Sequence, residues 1–319
     1  MSSMSSSISW WYSKCPALKL RGASKEFLEK LSIAKVYFFY SNCAQKIFQM
    51  EEEFIQSKQN PRIKALSRLQ ERSGRRKLGL FAVEGLRELQ RCILAGVEVK
   101  EIYFCPDMFK SLEHSGFITS VRGKIPLCRV SEQAFEKISN REGCDGIFGV
   151  CEQWKTSLKE IVLPQDKPAL ILVADRIEKP GNLGAMLRSA DASGATAVLL
   201  SNPITDIFNP SVIRASQGAV FSLKIAEASE GEIFDFLKTN GIKTYAAALG
   251  ATKIVWDCDF KESSAIVMGS EKDGLPQDII DRCDEIVKLP MLGQADSLNV
   301  NIAATLILFE AVRQRYKKI

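Results

Sequence analysis

From residue 79 onward, short apolar runs alternate with longer stretches of helical periodicity. Gly79–Val83 reads as a strand, and Glu84–Ala95 as a helix that turns Leu86, Leu89 and Ile93 inward. Val99–Phe104 and Pro126–Val130 read as further strands. A helix follows from Ser131, whose Ser131-Glu132-Gln133 start suits an N-cap. Asp145–Val150 closes this small α/β unit as a last strand.

The pattern then repeats on a larger scale. Ala169–Val173 is continuously apolar, as a strand covered on both faces of a parallel sheet should be. Residues 175–182 read as a loop and Leu183–Ala192 as a helix; Ala197–Leu200, Ile242–Leu249, Ala265–Met268 and Glu285–Leu289 read as later strands. A helix from about Asn299 to Tyr316 ends the pattern, with Val300, Ala303, Ala304, Ile307, Leu308, Ala311 and Val312 as its apolar stripe. Strands and helices in this order predict an α/β fold built on a parallel sheet. Residues 152–167 are polar and end near Pro164 and Pro168, so they read as a linker between a unit of residues 58–151 and one of residues 168–319.

Before residue 58 the pattern is different. Residues 1–25 hold eight serines, four basic residues and no acid, a composition shared by organellar transit peptides and also by ordinary unstructured termini. The expectation is a chloroplast or mitochondrial address, with a cytoplasmic location as the alternative. Residues 31–57, with Val36-Tyr37-Phe38-Phe39-Tyr40 and then Glu51-Glu52-Glu53, fit a helix, a linker or an artefact of gene prediction equally well.

Charge adds a partner. Between residues 58 and 77, Lys58, Arg62, Lys64, Arg68, Arg72, Arg75, Arg76 and Lys77 face a single acid, Glu71. Ile63, Leu66 and Leu69 recur at helical spacing, so the cations project from the other faces and would attract a phosphate backbone by releasing its counterions. Arg62, Arg72, Arg75, Arg76 and Lys77 are the expected RNA contacts.

Other chemistries are excluded. No apolar run approaches the ~18–20 residues needed to cross a bilayer, so no membrane partner is expected. The nine cysteines are scattered without a Cys-x-x-Cys pair, so reduced, mostly buried thiols are expected rather than a zinc site or a disulfide framework. The single histidine, His114, stands in a polar stretch and is expected at the surface; histidine triads and histidine-dependent metal sites drop out, and no metal is expected. A Rossmann dinucleotide site needs G-x-G-x-x-G after a strand, which Gly181-Asn182-Leu183-Gly184 does not supply.

Three segments remain: Asn182-Leu183-Gly184-Ala185-Met186-Leu187-Arg188, Met268-Gly269-Ser270-Glu271-Lys272-Asp273-Gly274-Leu275-Pro276 and Ser297-Leu298-Asn299-Val300-Asn301-Ile302-Ala303. In this order, ending in one long apolar helix, they closely resemble the three motifs of SpoU-type RNA ribose methyltransferases of the SPOUT superfamily. The resemblance spans about residues 58–318. It implies a deep C-terminal trefoil knot, preceded by a small α/β/α substrate-binding domain that Phe81-Ala82-Val83-Glu84-Gly85 opens. It also implies S-adenosylmethionine held by Gly269, Leu289 and Leu298, with Leu249 and Gly274 beside them. Methyl transfer to a ribose 2′-hydroxyl then follows, with Arg188 central and Asn182, Glu271, Ser297 and Asn299 as its companions. Ser297 and Asn299 also suit helix capping. Family members are homodimers whose final helices pack together, so a homodimer is implied. The accessory domain favours rRNA over tRNA as substrate. A catalytically inactive RNA-binding assembly factor on the same scaffold is the alternative.

Overall fold

The computed structural model describes residues 53–140 and 143–316. The transit-peptide reading of residues 1–25 and the readings of residues 31–52 lie outside them.

The first sheet unit begins with strand β1 (Glu53–Ile55), helices α1 (Pro61–Ser67) and α2 (Arg72–Leu78), and β2 (Leu80–Glu84). It continues through α3 (Leu86–Leu94), β3 (Val99–Phe104), α4 (Leu112–Val121), β4 (Leu127–Val130), α5 (Glu132–Ile138) and β5 (Ile147–Glu152). These strands form a five-stranded sheet in the order β1-β4-β3-β5-β2, parallel through β1, β4 and β3 and antiparallel at β5.

Strand β1 extends this unit upstream of the boundary expected at residue 58. Its three residues, paired with Cys128–Val130, are too few for a periodic signal. Helix α4 has no counterpart in the sequence pattern, and it changes the place of His114. The ring is buried rather than at the surface, bonded through Nδ1 to Ser111 Oγ at 3.1 Å and packed 5.5 Å from Phe109. The polar look of this stretch comes from its outer face; Phe117, Ile118 and Val121 are buried along with His114.

The second sheet begins with β6 (Leu170–Asp175), α6 (Pro180–Ala192), β7 (Ala197–Ser201), α7 (Pro210–Ala215), β8 (Ile225–Ala228) and α8 (Glu230–Thr239). It continues through β9 (Lys243–Ala247), β10 (Lys253–Ile254), β11 (Ser264–Met268), α9 (Gln277–Arg282), β12 (Glu285–Lys288) and α10 (Val300–Arg315). All seven strands are parallel, in the order β10-β12-β9-β11-β6-β7-β8. Central strands β6 and β11 are buried along their whole length, which accounts for their unbroken apolar runs.

Two packing details place the site. Helix α6 starts at Pro180, three residues earlier than the periodicity indicates, because proline suits the first helical turn where no N–H partner is needed. Asn182 therefore sits in a first helical turn rather than in a loop. Gly184 lets α6 meet α7: a Cβ there would stand 2.5 Å from the Ala215 Cβ and 2.6 Å from the Val212 carbonyl oxygen. Helix α10 buries Ala304, Ile307, Leu308 and Ala311, and Ser189 Oγ meets Thr305 Oγ1 at 2.7 Å where α6 and α10 touch.

The two sheets share one apolar core. Phe208, in the loop after β7, packs against Phe81 of β2 at 5.1 Å and against Trp154 at 4.7 Å between ring centroids. Among the described residues no helix is long and apolar enough to cross a membrane.

Candidate active site

A cavity of about 590 Å³ opens at the carboxyl ends of β9, β11 and β12. Parallel sheets present ligands there because the strands end and the following loops diverge. Its walls come from three segments that the sequence places far apart: residues 247–249 at the end of β9, residues 268–275 at the end of β11, and residues 287–300 from the end of β12 to the start of α10. Lys179 and Asn182 at the start of α6 and Ala303 and Ile307 of α10 complete them.

The polar side of the cavity is one hydrogen-bonded relay. Glu271 Oε1 accepts from Asn182 Nδ2 at 2.7 Å and from the Lys179 N–H at 3.2 Å, while Oε2 accepts from the Glu178 N–H at 3.2 Å. Asn182 Oδ1 in turn accepts from Asn299 Nδ2 at 3.2 Å and from Asn301 Nδ2 at 3.5 Å. Asn299 caps α10, its Oδ1 accepting the Asn301 N–H at 3.0 Å. The first two motif segments contribute one member each, Asn182 and Glu271, and the third contributes two, Asn299 and Asn301. Partial burial pushes the Glu271 carboxyl up, but the bonds from Asn182 and from the backbone N–H groups outweigh it and hold the group below its ordinary range. Glu271 is thus an ionised orienting group with its oxygens already engaged, and a poor proton acceptor.

The other side is apolar. Leu249, Leu289 and Leu298 line the cavity with Val287 and Ala303. Leu249 and Leu289, expected as the last residues of their strands, stand on the loops just past β9 and β12. Ser297, Gly269 and Gly274 also line the cavity. The bare face of Gly269 serves the protein itself: a Cβ there would lie 2.2 Å from the Gly274 carbonyl carbon and 2.4 Å from the Leu275 nitrogen. The loop doubles back at this point, with Ser270 and Gly274 exchanging two backbone bonds at 3.1 Å.

Such a cavity suits an adenine nucleoside with an amino-acid tail: apolar walls for the ring, polar groups for the remainder, and a volume within the ~300–1,000 Å³ usual for cofactor sites.

Arg188 is not in this cavity. It is exposed, further along α6 from Asn182, and makes no ion pair among the described residues. Six residues advance a helix by about 9 Å and turn it to a face roughly 120° away, so Asn182 cannot position Arg188 within one chain.

The expected RNA contacts separate. Arg76 and Lys77 are exposed on α2. Arg75 is a correction: its side chain is 1% exposed and forks onto Asp206, Nε to Oδ1 at 3.2 Å and Nη2 to Oδ2 at 2.5 Å. Arg62 is engaged as well, by Glu53, by Glu101 at 2.5 Å and by Tyr103 Oη at 2.9 Å. Arg72 donates to the Pro203 and Ile204 carbonyls at 3.2 and 2.8 Å. Counting charge within a short window misses these partners, which lie up to 132 residues away. Lys179 and Asn301 escape sequence reasoning too. Asn301 stands inside the third motif, two residues after Asn299, which is the one signal that could have found it.

Comparison with known proteins agrees with this geometry. Residues 169–309 match the model of the SpoU rRNA Methylase family, and residues 60–149 that of the MRM3-like substrate binding domain. A 23S rRNA (uridine(2479)-2′-O)-methyltransferase from Streptomyces viridochromogenes is 30% identical over 250 residues, 76% of this chain and 86% of that protein. The chain belongs to the SpoU rRNA methylase family. A crystal structure of an RNA 2′-O ribose methyltransferase superposes with a TM-score of 0.73 at 40% identity, covering 82% of this chain and 99% of the other. An AdoMet-bound rRNA methyltransferase from Sinorhizobium meliloti gives a TM-score of 0.74 at 29% identity, covering 83% and 99%.

Proposed function

We propose that this SpoU family member is an S-adenosylmethionine-dependent methyltransferase that modifies a ribose 2′-hydroxyl in rRNA. The observation that carries the reading is the Glu271–Asn182–Asn299 relay at the mouth of a cofactor-sized cavity. When bound, S-adenosylmethionine supplies a methyl group already activated by its sulfonium. The chain's own residues then have to orient the hydroxyl and relieve it of a proton.

Asn182 and Asn299 each spend one amide N–H inside the relay and keep the other for a ribose oxygen. Glu271 holds the Asn182 amide in that orientation, and Asn182 Oδ1 holds that of Asn299. Arg188 grips the phosphate beside the target ribose and stabilises the developing alkoxide; a guanidinium keeps its own proton above pH ~12, so deprotonation is shared with that phosphate.

A homodimer belongs to the same proposal. Ile302, Leu306 and Phe309 form an exposed apolar stripe along the outer face of α10, and α10 touches α6 beside Arg188. Pairing two such stripes brings Arg188 toward the cavity of the second copy. The trefoil knot is also part of this reading: β11 inserts between β9 and β6, and after β12 the chain returns to lay α10 against α6. So are the division at residues 152–167, RNA capture by the unit before it, and an organellar address in residues 1–25.

Mapping ribose methylation across cellular rRNA, with and without the protein, tests the proposal. Loss of one 2′-O-methyl group in rRNA is expected. Unchanged rRNA with a change confined to tRNA would overturn the choice of substrate.

A further inference from the structure

The buried arginine expected to touch RNA does something else. Arg75 Nη1 donates to the Leu69 and Gln70 carbonyls at 2.9 and 2.8 Å, while Nε and Nη2 fork onto Asp206. Arg72 holds the Pro203 and Ile204 carbonyls of the same loop. Phe208 anchors the loop's far end between Phe81 and Trp154. Helix α2 of the first sheet unit is therefore bolted to the loop that follows β7 in the second.

That loop leads to the relay. Asn202, in a left-handed conformation at φ 44°, directs Nδ2 at Asp175 Oδ1 at 3.5 Å, and the Arg176 N–H donates to the Ser201 carbonyl at 3.0 Å. Just beyond Arg176, the Glu178 and Lys179 N–H groups hold Glu271.

We propose that Arg72, Arg75 and Asp206 form a register latch that fixes the angle of the first sheet unit on the second, and so selects which nucleotide of a bound RNA enters the cavity. The three are positioning residues; none lines the cavity. The choice of nucleotide rests on the methyltransferase reading, whereas the fixed angle does not. A buried, forked Arg–Asp pair suits this task because its two parallel bonds fix direction as well as distance. A salt-screened surface contact would leave the angle free.

The test replaces Arg75→Met and Asp206→Leu together, which removes the pair without leaving a buried charge alone. Nitroxides introduced by a non-canonical amino acid at Leu112 on α4 and Lys238 on α8, both exposed, report the angle by pulsed dipolar spectroscopy. A narrow distance distribution is expected in the native protein and a broad one in the double variant. Cofactor affinity by calorimetry should stay near native. Single-turnover transfer to the native nucleotide at saturating RNA should fall by about 100-fold, the scale set by a misplacement of about 1 Å, and methyl groups should appear on neighbouring nucleotides. If the double variant fails to fold, Arg72→Ala carries the same measurements, with a smaller broadening expected. A native distance distribution in the folded variant, or an unchanged rate and target, overturns the latch. If the native protein methylates no RNA at all, the proposed function fails, while the distance measurement still decides whether the latch holds the angle.

Discussion

Asn182 gives Glu271 its side-chain hydrogen bond at 2.7 Å, and through that bond the start of α6 is tied to the loop after β11. Glu271 answers three donors with two oxygens, so replacing it by glutamine sets an amide NH₂ against at least one of them. Glu271→Gln should lower stability by about 1.5 kcal/mol, the lower end for a bond to a charged group that is partly exposed. A melting temperature a few degrees lower is the measurement. The pH dependence has a definite sign. Because the folded-state pKa lies below the unfolded one, the stabilisation is complete above the ordinary carboxylate range and is lost as pH falls through the folded value. The gap between native and Glu271→Gln melting temperatures should be flat from about pH 6 to about pH 8 and close only in acid.

Gly269→Ala tests the loop rather than the ligand. The new Cβ would press on the Gly274 backbone, and overpacking strain of about 1–3 kcal/mol falls on the turn that carries Ser270 and Glu271. Cofactor affinity in a calorimetric titration should drop roughly tenfold or more, while the far-ultraviolet circular dichroism stays native. Native affinity would show that the turn relaxes without disturbing the cavity.

How much of this was legible in one dimension follows from the range of each interaction. Asn182, Glu271 and Asn299 stood out because each sits in a short segment whose residues act together. The relay that joins them crosses 117 residues between Asn182 and Asn299, and only the resemblance to a family hinted at it. Arg75 looked like its neighbours Arg76 and Lys77, and nothing within reach of the window marked it as buried. Its acid is supplied by Asp206, 131 residues on. β1 escaped because three residues carry no period, and α4 because its inward His114 and outward polar face blur the stripe.

The remaining exposed cations of α2 give an RNA prediction. Neutralising Arg76 and Lys77 with glutamine should weaken RNA binding and flatten its dependence on salt by roughly one unit of slope per lost phosphate contact. Cofactor affinity should not move. Unchanged RNA affinity at low salt would make these two residues a solvated surface.

The stripe on α10 predicts the oligomeric state. Leu306→Asp places a charge in the middle of Ile302, Leu306 and Phe309 without touching the buried face of the helix. Light scattering after size exclusion should report a dimer for the native protein and a monomer for the variant, with the melting temperature little changed for the monomeric fold. A native protein that is monomeric at micromolar concentration would remove the interface.

Arg188 is the sharpest test of the chemistry. It is exposed and pairs with no acid among the described residues: Asp175 is held by Arg176 at 2.9 Å, and Glu271 by Asn182. A role in bracing the loop is therefore not visible, and Arg188→Ala should leave folding and cofactor affinity near native. Methyl transfer in single turnover at saturating RNA and cofactor should nevertheless fall by at least ~100-fold, the scale for losing one preorganised electrostatic group from a transition state. Lysine should rescue poorly, since it keeps the charge but not the planar fork that grips a phosphate with two parallel bonds. If Arg188 acts across a dimer, mixing Arg188→Ala with a cavity variant such as Asn182→Ala restores one intact site per mixed dimer, and activity returns only on mixing. A rate close to native in Arg188→Ala alone would place the arginine outside the reaction.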